Sequence, residues 1–141
     1  MEHLGQHVII ELWGCQESVI NDAALVRTAM LDAVRAANAT LLDLNVHMFS
    51  PHGVTGVAVL SESHLSVHSW PEYGYVAADV FTCGNTTKPQ AAAETLKRHF
   101  GSTHTVVTEL RRGEFPKPAP SSAKAGKKKH NRPALAEPAA V

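Results

Sequence analysis

The sequence predicts an α+β two-layer sandwich, an antiparallel sheet with two helices on one face. Three observations lead there: six short runs rich in apolar and β-branched residues, two longer stretches of helical periodicity, and the order β-α-β-β-β-β-α-β. Strands that follow one another without an intervening helix pair antiparallel, and two helices cover only one face of such a sheet. The bare face predicts a partner subunit.

The first strand is read at His7 to Trp13 (HVIIELW), closed by Gly14. From Val19 to Ala39 the apolar residues Val19, Ile20, Ala23, Leu25, Val26, Met30, Leu31, Val34 and Ala37 recur near a helical period, with Asn21 or Asp22 available as a cap near the start. Thr40 to Phe49 partly alternates and forms a second strand, ended by the turn Ser50-Pro51-His52-Gly53. Val54 to Leu60, His64 to Trp70 and Gly74 to Thr82 follow as strands, the last two divided by Pro71. Thr86 to Phe100 is the second helix, its Pro89 in the first turn where a missing N–H costs nothing. His104 to Leu110 (HTVVTEL) is the last strand.

One domain, residues 1–115, accounts for all of these elements. It is acidic, with seven Lys or Arg against twelve Asp or Glu, whereas residues 116–141 hold six basic residues and only Glu137. That tail is built from Pro, Ala, Ser and Lys and has too few large apolar side chains to offset ordering, so it is expected to be disordered. Its Lys127-Lys128-Lys129 run fits a solubilising tail better than a nucleic-acid contact. No signal peptide or membrane span is expected, since the apolar stretch near the start is short and lacks a preceding basic region. Cys15 and Cys83 are then read as thiols in a reducing cytoplasm.

The chemistry concentrates in LSESHLSVHSWPEYGYVAADVFTCG, Leu60 to Gly84. Serines, histidines, acids and a cysteine crowd a hairpin region for which apolar alternation alone would suffice. The segments Ser61-Glu62-Ser63-His64-Leu65, His68, Trp70-Pro71-Glu72-Tyr73-Gly74-Tyr75 and Phe81-Thr82-Cys83-Gly84 resemble the signature of the short bacterial and archaeal S-adenosylmethionine decarboxylases. Leu4-Gly5-Gln6-His7 and the segment His47 to Gly56 resemble that family too, so the likeness runs from about Leu4 to Gly113.

The resemblance implies a self-cleaving, pyruvoyl-dependent carboxy-lyase. The Ser63 hydroxyl would attack the Glu62 carbonyl and turn the amide into an ester. Loss of the Ser63 α-proton would then expel the Glu62 carboxylate and leave a dehydroalanine, which hydrolyses to a pyruvoyl group and ammonia. His68 matches the processing base. The ketone derived from Ser63 would form a Schiff base with the substrate amine and accept the electrons as carbon dioxide departs. Cys83 matches the proton donor to the resulting carbanion. Glu72 matches a carboxylate for the ribose hydroxyls, and Phe49 with His68 matches a pair that stacks adenine. The family likeness further implies a homodimer of processed chain pairs, a cytoplasmic enzyme and a product used for spermidine and other polyamine synthesis.

Two departures bear on that reading. Thr55 stands where the family usually has a second processing serine, keeping the hydroxyl but adding a methyl group. Val46 and Met48 replace the aromatic and basic residues that often flank His47, which leaves ornithine or arginine open as alternative substrates. No resident metal is expected: His47, His52, His64 and His68 lack accompanying ligands at a zinc-like spacing. Glu11, an acid in an apolar strand, faces either a pocket or solvent. Trp70 and Tyr73 are read as interface or core aromatics. A non-enzymatic binding protein is the reading from another class.

Overall fold

The computed structural model describes residues 2–61 and 63–116. The basic tail from residue 117 onward and Glu62, the residue expected to precede the cleaved bond, lie outside the described residues. The strands are β1 (His3–Trp13), β2 (Leu41–Met48), β3 (Val54–Leu60), β4 (Ser63–Trp70), β5 (Tyr75–Cys83) and β6 (His104–Glu114). They form one six-stranded sheet in the order β2-β3-β4-β5-β1-β6, antiparallel at every step. Three helices accompany it: α1 (Glu17–Ile20), α2 (Ala23–Ala36) and α3 (Pro89–Phe100). The α+β two-layer expectation holds, with α2 and α3 as its two long helices.

Alternation along the strands decides which face is covered. Val8, Ile10 and Leu12 on β1, Leu65 and Val67 on β4, and Val76 and Val80 on β5 are wholly buried. They meet Val26, Ala29, Met30 and Ala33 of α2 and Ala92, Leu96 and Phe100 of α3. Gly56 on β3 lets α2 approach closely, because the Met30 sulfur occupies the space a Cβ would fill. Odd-numbered residues of β1 and β5 and even-numbered residues of β4 point to the opposite, helix-free face. That face holds His7, Ile9, Glu11, His64, Ser66, His68, Asp79 and Phe81, with Val57 and Val59 of β3 and Val106 and Leu110 of β6 more than one-third exposed.

The helix expected over Val19–Ala39 is two. Asp22 adopts an extended backbone and its carboxylate accepts from Leu25 N–H at 3.0 Å, so it caps α2 instead of continuing α1. The strands β1 and β6 run longer than expected, β1 from His3 and β6 to Glu114, because ladder bonds to a neighbour sustain residues whose polarity alone argues for loop.

Candidate active site

β3 and β4 form a hairpin in which Leu60 pairs with Ser63, so residues 61 and 62 alone connect the strands. Ser63 is half-buried at the start of β4, and its hydroxyl donates to the Ser61 carbonyl at 3.2 Å. At the same end of the sheet Cys83, half-buried, closes β5 opposite Gly5. Extending the His64–Phe81 pairing brings Ser63 level with Thr82, beside Cys83.

The far end of the same hairpin builds a second group. Thr55 and His68 pair across β3 and β4, and Thr55 Oγ1 lies 3.1 Å from His68 Nδ1. Buried Ser69 fixes the backbone there, donating to the Ile20 carbonyl at 2.7 Å and accepting from Val54 N–H at 2.9 Å. Asn21 accepts from Gly53 N–H at 3.0 Å and so holds the loop before β3. Around these, Phe49, His52, Gly53, Thr55, His68 and Glu72 line a hollow of about 280 Å³. Glu72 sits in the 3-10 turn Pro71–Tyr73, its carboxylate 2.7 Å from His52 Nε2. His52 was not singled out for this role by the sequence, and its partner across the hollow is visible only once the turn is folded.

A second hollow of about 310 Å³, lined by His7, Ile9, Glu11, Ser66, His68 and Asp79, continues from His68 along the helix-free face. Glu11 therefore faces this hollow, where it accepts from the Tyr75 hydroxyl at 2.6 Å. Burial, with the adjacent Glu11 carboxylate, pushes the Tyr75 phenol up to about 12. Tyr75 lies between Trp13 and Trp70, with ring centroids 4.3 Å and 5.3 Å away. Trp70 and Tyr73 are exposed, so neither belongs to the core. His47 packs edge-on against Phe49 at 4.5 Å.

The predicted residues thus fall into two sets at opposite ends of the sheet, with Ser63, opposite buried Leu60, on the helix-covered side. Ser63 and Cys83 lie at one end; Phe49, Thr55, His68 and Glu72 lie at the other. His68 is five residues along β4 from Ser63, which at about 3.3 Å per residue is about 16 Å.

The sequence profile of S-adenosylmethionine decarboxylase matches residues 6–113. An S-adenosylmethionine decarboxylase proenzyme of Thermomicrobium roseum is 53% identical over 114 residues, 80% of this chain and 97% of that protein. One from Methanococcus maripaludis is 47% identical over 113 residues, 80% of this chain and 93% of the relative. The crystal structure of the adenosylmethionine decarboxylase from Aquifex aeolicus superposes with a TM-score of 0.77 at 30% identity, over 85% of this chain and 99% of that one. Fold and relatives define a carboxy-lyase. The chain belongs to the S-adenosylmethionine decarboxylase family.

Proposed function

We propose that the chain is a proenzyme that cuts itself between Glu62 and Ser63 and then decarboxylates S-adenosylmethionine, releasing carbon dioxide and the decarboxylated sulfonium used in polyamine synthesis. The observation that carries this reading is the family match across residues 6–113, which takes in Ser63 on its short hairpin connection together with both residue sets. The chemistry at Ser63 suits a pyruvoyl precursor: a half-buried hydroxyl on the residue that directly follows the bond to be cut, donating to the Ser61 carbonyl one peptide upstream. A pyruvoyl ketone supplies the electron sink that no ordinary side chain offers.

The chain's own groups divide the remaining work. In processing, the Ser63 hydroxyl attacks the Glu62 carbonyl carbon, and His68 removes the Ser63 α-proton so that the ester breaks at its Cβ–O bond. Water then replaces nitrogen at the former Ser63 α-carbon, and ammonia leaves. In turnover, Glu72 accepts from ribose hydroxyls, Phe49 and His68 flank the base, and Cys83 delivers a proton to carbon after carbon dioxide has gone. Thr55 Oγ1 orients the His68 ring.

The separation of about 16 Å between Ser63 and His68 of one chain, from the rise along β4, exceeds any hydrogen-bond reach. We therefore infer that the working unit is a homodimer joined through the helix-free sheet face, with a two-fold axis that brings the Ser63 and Cys83 end of one protomer to the His68 and Glu72 end of the other. The exposed valines of β3, the exposed β6 residues Val106 and Leu110, and the small hollow volumes, near the bottom of the usual range for ligand sites, support a face completed by a second copy.

Intact-mass measurement tests the reading directly. Wild type is expected as two fragments divided after Glu62, and Ser63→Ala as one whole chain. Carbon dioxide release should be seen with S-adenosylmethionine and not with ornithine or arginine. A wild-type chain that stays whole, or turnover of ornithine alone, would refute it.

A further inference from the structure

Cleavage between Glu62 and Ser63 converts a hairpin connection into a chain end, and chain ends loosen unless they are tied down. Main-chain ties at that point are sparse. Ser63 pairs with Leu60 on β3, while the ladder to β5 begins one residue later, at His64 and Phe81.

Side chains supply what the ladder lacks. His64 Nε2 lies 2.7 Å from Asp79 Oδ2, and the His64 ring packs 6.0 Å from that of Phe81. His7 of β1 brings its own Nε2 to the same carboxylate oxygen at 2.7 Å, and the Ser66 hydroxyl donates to Oδ1. One carboxylate of β5 thus gathers donors from β1 and β4. Burial would push the Asp79 pKa up, but the bonds from Ser66, His64 and His7 outweigh it and hold the group below the usual carboxylate range. Bonds to an ionised acceptor are the strong ones.

His7, His64 and Asp79 are close enough to hold a metal ion, but the surroundings of His7 argue against that use. Arg112 donates to His7 Nδ1 at 3.0 Å, which puts the proton of the neutral ring on Nε2 and makes that atom a donor toward Asp79. A metal ligand needs a bare nitrogen there. The cluster is a hydrogen-bond hub.

We propose that Asp79 and His64 anchor the new N-terminus made by self-cleavage, with His64, bonded directly to residue 63, keeping the pyruvoyl carbonyl in place after the peptide to Glu62 is gone. Asp79 and His64 are positioning residues: neither takes part in bond making, and each acts through the placement of residue 63. The inference rests on the self-processing reading above. A reacting carbonyl displaced by about 1 Å loses on the order of a hundredfold in rate, whereas a nucleoside held by Glu72 and Phe49 of the other protomer is bound as before.

The test compares His64→Ala, His64→Gln and Asp79→Ala with wild type as full-length protein. Intact mass gives the cleaved fraction, steady-state kinetics give kcat per cleaved chain and KM, and hydrogen exchange reports the segment 64–70. His64→Ala and Asp79→Ala should cleave, lose about ten- to a hundredfold in kcat per cleaved chain, and keep KM within about threefold. His64→Gln, which retains a donor for Asp79, should recover part of the loss. Exchange in 64–70 should rise in the cleaved variants but change little when the same substitutions are made in the uncleavable Ser63→Ala chain. Unchanged kcat per cleaved chain, equal loosening in cleaved and uncleavable backgrounds, or variants that no longer cleave while wild type does would each overturn the anchor. A wild type that stays whole would instead overturn the processing reading.

Discussion

Co-producing His68→Ala chains with Cys83→Ala chains puts the two-chain site to a quantitative test. Along β4, five residues separate Ser63 from His68, or about 16 Å, so a site built from one end of each protomer loses function in either variant alone. In a mixed dimer, the His68→Ala chain still offers Ser63 and Cys83, and the Cys83→Ala chain still offers His68. One of the two sites is then intact. Equal amounts of the two chains pair randomly into about half mixed dimers, each with one working site of two, giving about a quarter of wild-type carbon dioxide release. Differently tagged chains, purified through both tags in sequence, should give about half of wild-type activity per dimer and about half of the Ser63 positions cleaved. Doubly tagged dimers that are inactive, with the cleaved Ser63 on the Cys83→Ala chains instead of the His68→Ala chains, would refute the geometry, because both lesions would then bear on a single chain's site.

Three further outcomes follow from side-chain surroundings. Gly56→Ala forces the buried Met30 sulfur aside and should cost about 1–3 kcal/mol in denaturant melts, with cleavage at Ser63 intact. Cys15 is buried and its thiol is pushed up to about 11 by that burial, so iodoacetamide at pH 8 should leave it unmodified in the folded protein and label it once denaturant unfolds the chain. Asp79 has a folded-state pKa below its unfolded value, so its contribution to stability is complete above the unfolded value near 4 and disappears as pH falls through the folded one. In thermal melts Asp79→Asn should fall below wild type at neutral pH, and the two should converge in acid; a gap that widens in acid would contradict the hub.

Periodicity made the architecture legible: the helix-free face follows from strands that alternate and helices too few to cover both sides. What periodicity missed was local. Asp22 as a cap divides a helical stretch that hydrophobic spacing joins, since a capping carboxylate competes for the same backbone N–H groups. The polar ends of β1 and β6 read as loop because their order comes from each other's ladder bonds. At the site, Ser63, His68, Cys83, Glu72, Phe49 and Thr55 were named through the resemblance, yet sequence distance concealed that they separate into two ends of the sheet. The partnerships of Asp79 with His7 and of His52 with Glu72 join residues 72 and 20 positions apart, and only the sheet register and the turn after β4 bring them together.

The strand order has a consequence for a nicked chain. A cut after Glu62 gives one piece that owns β1, β2 and β3 and another that owns β4, β5 and β6. Because β1 is laid between β5 and β6, the pieces share three seams, β3 with β4, β5 with β1, and β1 with β6. Neither fragment can drift off without unzipping most of the fabric, so a covalent break at the hairpin leaves two polypeptides woven into one body.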